Sequence, residues 1–157
     1  MANPVLEKDL AIQFPHFTIL KASAGSGKTY SLTERFVQFL LSGKIPKNHL
    51  RNILAITFSN NAAKEMKERI LSWLKDIYFK NPEKIKELSE IVSLKKEYLP
   101  DKAGAAIDEI LKNYTEFQVK TIDSFMTSIY KASAINLGYS PDFDIVMAPE
   151  NIMAYAF

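Results

Sequence analysis

Short, nearly uncharged apolar runs alternate along this chain with longer segments in which apolar residues return every three or four positions. The runs at 17–21 and 52–58 predict buried parallel strands suited to a sheet covered on both faces, the first by its mostly apolar character and the second by its β-branched, uncharged residues, and 117–122 returns to a strand pattern. Residues 28–41 predict a helix, because Leu32, Phe36, Phe39 and Leu40 recur at helical spacing until Ser42-Gly43 ends the pattern. A second helix is signalled by Ser59-Asn60-Asn61, good N-capping chemistry, and by a stripe of Ala63, Met66, Ile70, Trp73, Leu74 and Ile77. Asp123 or Ser124 can cap a further helix reaching Leu137, with Gly138 as its stop. Phe143, Ile145 and Met147 alternate as a last short strand, and Pro149 opens another helix. Strand, helix, strand in this order predicts an α/β fold of doubly wound or P-loop type.

Residues 82–116 break the rhythm. Ile85, Leu88, Ile91 and Val92 sit among many Lys and Glu, and a second amphipathic helix follows Pro100 over 101–114, so this stretch reads as a helical insertion. Lys84, Lys86, Lys95 and Lys96 could touch a phosphate backbone, but their alternation with acidic residues is the pattern of a solvated helix face. Residues 1–16, bracketed by Pro4 and Pro15, predict no firm element.

Composition narrows the class. A chain of 157 residues, 47% hydrophobic and 24% charged, can bury a core of ordinary size. The net charge of +2 does not by itself indicate nucleic acid. With no cysteine, a disulfide framework and a thiolate metal site are excluded, and His16 and His49 alone make a poor metal centre. No apolar run approaches membrane-spanning length, and Glu7, Lys8 and Asp9 stand where a signal sequence would be apolar, so a cytoplasmic protein without a membrane partner is expected.

The chemistry concentrates in Ala22-Ser23-Ala24-Gly25-Ser26-Gly27-Lys28-Thr29, followed by Tyr30, where the first apolar run turns into the first helix. Gly25 and Gly27 permit positive φ and close approach, so backbone N–H groups can form an anion-binding nest. Lys28 supplies a point charge for β- and γ-phosphates, the Thr29 hydroxyl suits Mg²⁺, and the opening helix adds its positive dipole end. Ala22 stands where the generic phosphate loop has its first glycine.

The phosphate loop, the run 53–70 (Ile-Leu-Ala-Ile-Thr-Phe-Ser-Asn-Asn-Ala-Ala-Lys-Glu-Met-Lys-Glu-Arg-Ile) and Thr121-Ile122-Asp123-Ser124-Phe125 together resemble the N-terminal part of a UvrD/Rep-type superfamily 1 DNA helicase. The flavour is that of the RecB and AddA helicase-nuclease subunits. The likeness covers nearly the whole chain outside 82–116, and an alanine in place of the first loop glycine is common in that family. It implies a RecA-like P-loop NTPase sheet with flanking helices, incomplete, in an ATP- and Mg²⁺-dependent motor that translocates on single-stranded DNA and unwinds duplex in recombinational repair. It implies ATP contacts over 22–30, with Lys28 and Thr29 at the reacting phosphates and Thr29 on the metal. It places Thr57, Phe58, Ser59 and Asn60, then Thr121, Ile122, Asp123, Ser124 and Phe125, against single-stranded DNA. Both stretches lie just beyond strand ends, where open α/β sheets bind ligands. Asn61 replaces the family's usual lysine, and Asp123 its more common histidine, so one phosphate-facing charge is lost and a carboxylate gained.

No apolar strand ends in the acidic pair that a P-loop ATPase uses to hold Mg²⁺ and polarise water, and no arginine-finger motif appears. The chain is therefore expected to be the front of the first motor domain, 1A, over 1–157, with the insertion at 82–116 and a further helical subdomain beginning near 148. Its expected partners are DNA, the remainder of a helicase chain and a nuclease or second helicase subunit. The alternatives are a small P-loop kinase or a non-catalytic nucleotide-binding interaction module.

Overall fold

The computed structural model describes residues 6–21, 27–140 and 142, without the Ile135 side chain. The chain divides into two compact units, Met1–Lys120 and Thr121–Phe157. In the first unit, α1 (Lys28–Leu41) precedes β1 (Leu54–Thr57), α2 (Asn60–Tyr78), α3 (Pro82–Ile91) and α4 (Leu99–Lys112). Strand β2 (Gln118–Thr121) pairs with β1 in a short parallel sheet and leads into α5 (Ile122–Ala134).

The helices start and stop where local chemistry dictates. Ser59 caps α2 by accepting from the Ala62 N–H at 3.2 Å. Asn81 does the same for α3, its Oδ1 accepting from Glu83 N at 3.0 Å and Lys84 N at 3.3 Å, with Pro82 pre-set for the first helical position. At the end of the second unit's helical stretch, Gly138 takes φ 77° and Tyr139 N–H reaches back to the Ala134 carbonyl at 2.9 Å. That six-to-one bond with a left-handed glycine is a Schellman stop, which explains why the helical path ends there.

The core of the first unit is helical more than sheet-like. The expected stripe of α2, Ala63, Met66, Ile70, Trp73, Leu74 and Ile77, is buried in full, packed against α1, α3 and above all α4. Leu88, Ile91, Leu99, Ala103 and Ile110 close it from the insertion. The insertion thus forms part of the core.

Three expectations need correction. Residues 17–21 form no strand: the segment is extended, with Phe17 and Ile19 at 89% and 83% exposure. A parallel strand is held by its ladder, and among the described residues β1 and β2 pair only with each other, so this run has no strand partner. The sheet is also not covered on both faces, since Ala55 and Val119 are buried while Leu54 and Ile56 remain about two-fifths exposed. Finally, α1 does not bury Leu32; its inner face is Ser31, Thr33, Glu34, Phe36, Val37, Gln38 and Leu41, with Phe39 and Leu40 only half-buried.

Polar ties fasten this face. Gln38 Nε2 donates to the Glu7 and Ile91 carbonyls, both at 2.8 Å. Buried Asp9 accepts from Ser42 Oγ at 2.6 Å and from Ser93 N–H at 3.0 Å. The lead-in, in which the sequence predicted no element, is therefore a clasp joining the end of α1 to the end of α3. The expected strand at 143–147 and the helix after Pro149 lie outside the described residues, as does the subdomain expected from about 148.

Candidate nucleotide and nucleic-acid site

Ala22, Ser23, Ala24, Gly25 and Ser26 lie outside the described residues. The chain beyond them enters a helix start built around Gly27. Its φ of 87° is one that a side chain would strain, and among the described residues, its chain neighbours aside, no atom lies within 4 Å of where a Cβ would sit. The helical ladder opens with Ser31 N–H on the Gly27 carbonyl at 2.9 Å, and among the described residues no side chain caps the helix. The N–H groups of Lys28, Thr29 and Tyr30 are the first-turn donors, and the side chains of Lys28 and Thr29 are exposed. An uncapped helix N-terminus reached through an open glycine turn, beside an exposed lysine and hydroxyl, is chemically fitted to an anion. Thr33 Oγ1 adds a bond to the Thr29 carbonyl at 2.9 Å, steadying this first turn.

Tyr30, next in line, points its hydroxyl at α3. It donates to Glu87 Oε1 and accepts from Lys84 Nζ at 2.9 Å, while Lys84 also donates to Glu87 Oε2 at 2.8 Å. The Lys84 ammonium stands 3.9 Å over the Trp73 ring, and Trp73 meets Tyr30 edge to face at 5.1 Å. Burial lowers the Lys84 pKa, but the bonds to Glu87 and Tyr30 outweigh it and hold the ammonium above its ordinary value. Burial and the Glu87 bond push the Tyr30 phenol up. Lys84 is thus no part of a solvated face, correcting the sequence expectation; the i,i+3 Lys-Glu spacing was the available signal, though nothing in it names Tyr30 as the third member. Lys95, by contrast, is exposed beside Glu97 at 3.9 Å.

Glu34, one helical turn after Tyr30 and on the inner face, was missed as well. Its Oε2 and the nearby Ser31 Oγ are buried without a hydrogen-bond partner among the described residues. Desolvation, with the Glu87 charge facing it, pushes the carboxyl up to about 7, against smaller pulls from Lys84 and Arg35.

The DNA candidates fall into two groups. In the first unit, Thr57 ends β1 with its hydroxyl donating to the Ser59 carbonyl at 3.1 Å and lying 3.5 Å from the Lys120 carbonyl. Phe58 is 91% exposed, which is how a stacking platform and not a core residue is placed. Asn60 is exposed in the first turn of α2, and Ser59 is spent on the cap. In the second unit, Thr121 is buried and is the true cap of α5: its Oγ1 accepts from Ser124 N–H at 3.2 Å and bonds Ser124 Oγ at 2.9 Å. Asp123 and Ser124 had been expected in that role; Asp123 is instead exposed in the first turn, where the helix dipole favours a carboxylate. Ile122 is exposed and Phe125 half-buried.

The described elements define a helix-rich α/β protein with a glycine-led helix start and two strand-to-helix turns. The profile of the UvrD/REP helicase N-terminal domain matches residues 7–154, and the chain belongs to that family. It is 34% identical over 146 residues to an ATP-dependent helicase/nuclease subunit of Oceanobacillus iheyensis, covering 92% of this chain and 10% of that protein. Proteins of the same name from Exiguobacterium sibiricum and Lactobacillus gasseri are 32% and 33% identical over 86% and 93% of the chain, again 10% of each. The chain therefore spans about a tenth of the length of these relatives. Among the described residues no helix is long and apolar enough to cross a membrane.

Proposed function

We propose that this chain is the ATP-binding front of motor domain 1A of a DNA helicase, in a protein that translocates on single-stranded DNA and unwinds duplex during recombinational repair. The observation that carries the reading is the left-handed Gly27 turn, delivering exposed Lys28 and Thr29 on a helix start that no side chain among the described residues caps. The residues from Ala22 to Tyr30 line the triphosphate, with Lys28 on the β- and γ-phosphates and Thr29 on Mg²⁺. Bound Mg²⁺ supplies charge neutralisation at the phosphates, and this chain's own groups bind and orient them. Thr57, Phe58 and Asn60 contact single-stranded DNA, as do Ile122, Asp123, Ser124 and Phe125, with Ser59 and Thr121 acting through the helix starts they cap. The helical insertion at 82–116 belongs to the same domain, and a further helical subdomain begins near 148. Support for a longer assembly, with the rest of a motor and a nuclease, comes from the names and lengths of the relatives; its setting is the cytoplasm.

The experiment is a calorimetric titration with Mg-ATP. Lys28→Ala should weaken binding at least roughly tenfold, the cost of one charge-assisted phosphate contact. Equal affinity in variant and parent overturns the reading.

A further inference from the structure

Lys84 and Glu87 belong to none of the three sequence motifs, yet they enclose the residue next to Lys28 and Thr29. We propose that the pair is a positioning clamp for the phosphate site: by holding the Tyr30 hydroxyl from α3, Lys84 and Glu87 fix the first turn of α1 and with it the two side chains that meet the nucleotide. The proposal rests on the nucleotide-binding reading above.

The geometry is that of a built clamp. Tyr30 OH is bonded on both sides, from Lys84 Nζ at 2.9 Å and to Glu87 Oε1, and the Lys84–Glu87 ion pair closes the triangle at 2.8 Å. Both charged side chains are about three-quarters withdrawn from solvent, at 21% and 24% exposure, so the pair is far less screened than a surface salt bridge. Lys84 also rides over Trp73 of α2 at 3.9 Å, so three helices converge on one ammonium. Helix α3 is itself immobilised at both ends: Asn81 caps its start, and Gln38 donates to the Ile91 carbonyl at its finish. Alongside, an open cleft of about 260 Å³ bordered by Tyr30, Trp73 and Lys84 leaves room for the Tyr30 ring to swing if the clamp is cut. The clamp reaches this turn from another helix, where the Thr33 bond to the Thr29 carbonyl is local to α1, and small displacements of phosphate-binding groups weaken what they bind.

The test compares Mg-ATP and Mg-ADP affinities of the parent chain with those of Lys84→Met, Lys84→Arg, Tyr30→Phe and the double variant Tyr30→Phe/Lys84→Met. Lys84→Met keeps the side-chain volume and removes the charge, and it should weaken Mg-ATP roughly threefold to thirtyfold, the span expected of a residue in a coupled network. Lys84→Arg, which keeps a cation over Trp73 and donors for Tyr30 and Glu87, should keep the parent affinity. Tyr30→Phe should weaken binding similarly and the double variant no further, since both cut one clamp. The loss should be larger for ATP than for ADP because the γ-phosphate leans on Lys28, a difference that mere loss of packing would not produce. If Lys84→Met fails to fold, Tyr30→Phe, which deletes one hydroxyl, decides the matter. A parent that binds and loses affinity in Lys28→Ala, while Lys84→Met and Tyr30→Phe bind as the parent does, overturns the clamp alone. A parent that binds no nucleotide overturns the nucleotide reading and the clamp with it.

Discussion

Glu34 has a titration that its neighbours set. It faces Glu87, Lys84 and Glu90 across the α1–α3 contact and Arg35 on its own helix, and its carboxyl is held near 7, well above the ordinary carboxylate range. A group with a raised folded pKa keeps its proton longer in the native state than in the unfolded chain. Stability therefore falls as pH rises from the ordinary carboxylate pKa to about 7, and the slope from this group vanishes above that point. Glu34→Gln removes the titration, so chemical denaturation at several pH values should show a downward slope between about pH 5 and 7 in the parent that the variant lacks. Parallel profiles for the two proteins would contradict the assignment. No sequence pattern announced this residue, because Glu34 reads as a polar interruption of an amphipathic helix until α3 is laid over it. Gly27 was legible for the opposite reason: its role depends on its own φ, and local backbone chemistry is written locally.

At the scale of elements, Gly104 shows how propensity and packing compete. It lies mid-helix in α4 where a Cβ would stand 3.0 Å from two ring carbons of Tyr78 on α2. Alanine there gains about 1 kcal/mol of helix propensity. The Tyr78 ring must move aside, and it can, being about half exposed. Gly104→Ala should therefore change stability little in the parent, yet stabilise a Tyr78→Ala background by about 1 kcal/mol. Urea denaturation of the four proteins closes the cycle, and additive effects would show that the ring does not oppose the Cβ. The capping bond at Ser59 is expected to be worth about 1 kcal/mol, lost in Ser59→Ala. Such features follow from sequence, as does the stripe of α2, buried in every expected position. Residues 17–21 are the instructive failure. Their apolar run names a strand, but a strand is a relation between segments, and Phe17 and Ile19 remain exposed where no ladder forms among the described residues. For the same reason the sheet's second face could not be read from Leu54 and Ile56 alone. Lys84 failed in the other direction, since a Lys among glutamates looks solvated until Trp73 and Tyr30 are brought under it.

For the whole molecule, the separation of binding from turnover is the property to test. The 157 residues contain the lysine and threonine proposed to hold the phosphates, but among the described residues no strand ends in an acidic pair, and Asp108 and Glu109 sit within α4. Hydrolysis needs a positioned water and cations that meet the charge growing on the γ-phosphate, and an arginine finger alone is worth about 10³ to 10⁵ in rate. The single-strand contacts proposed at the ends of β1 and β2 would engage little backbone, so DNA binding by this chain should be weak and should fall with added salt along the shallow slope that few phosphate contacts give. A protein of these residues is accordingly expected to bind Mg-ATP, to release phosphate at close to the uncatalysed rate, and to leave duplex DNA intact with single-stranded DNA present. Phosphate release measured against a Lys28→Ala control separates the outcomes. A steady DNA-stimulated release that the substitution abolishes would mean that a carboxylate of this chain does position the water, and Glu34, buried, its carboxyl pushed up to about 7 and one turn beyond Tyr30, would be the first to replace with glutamine.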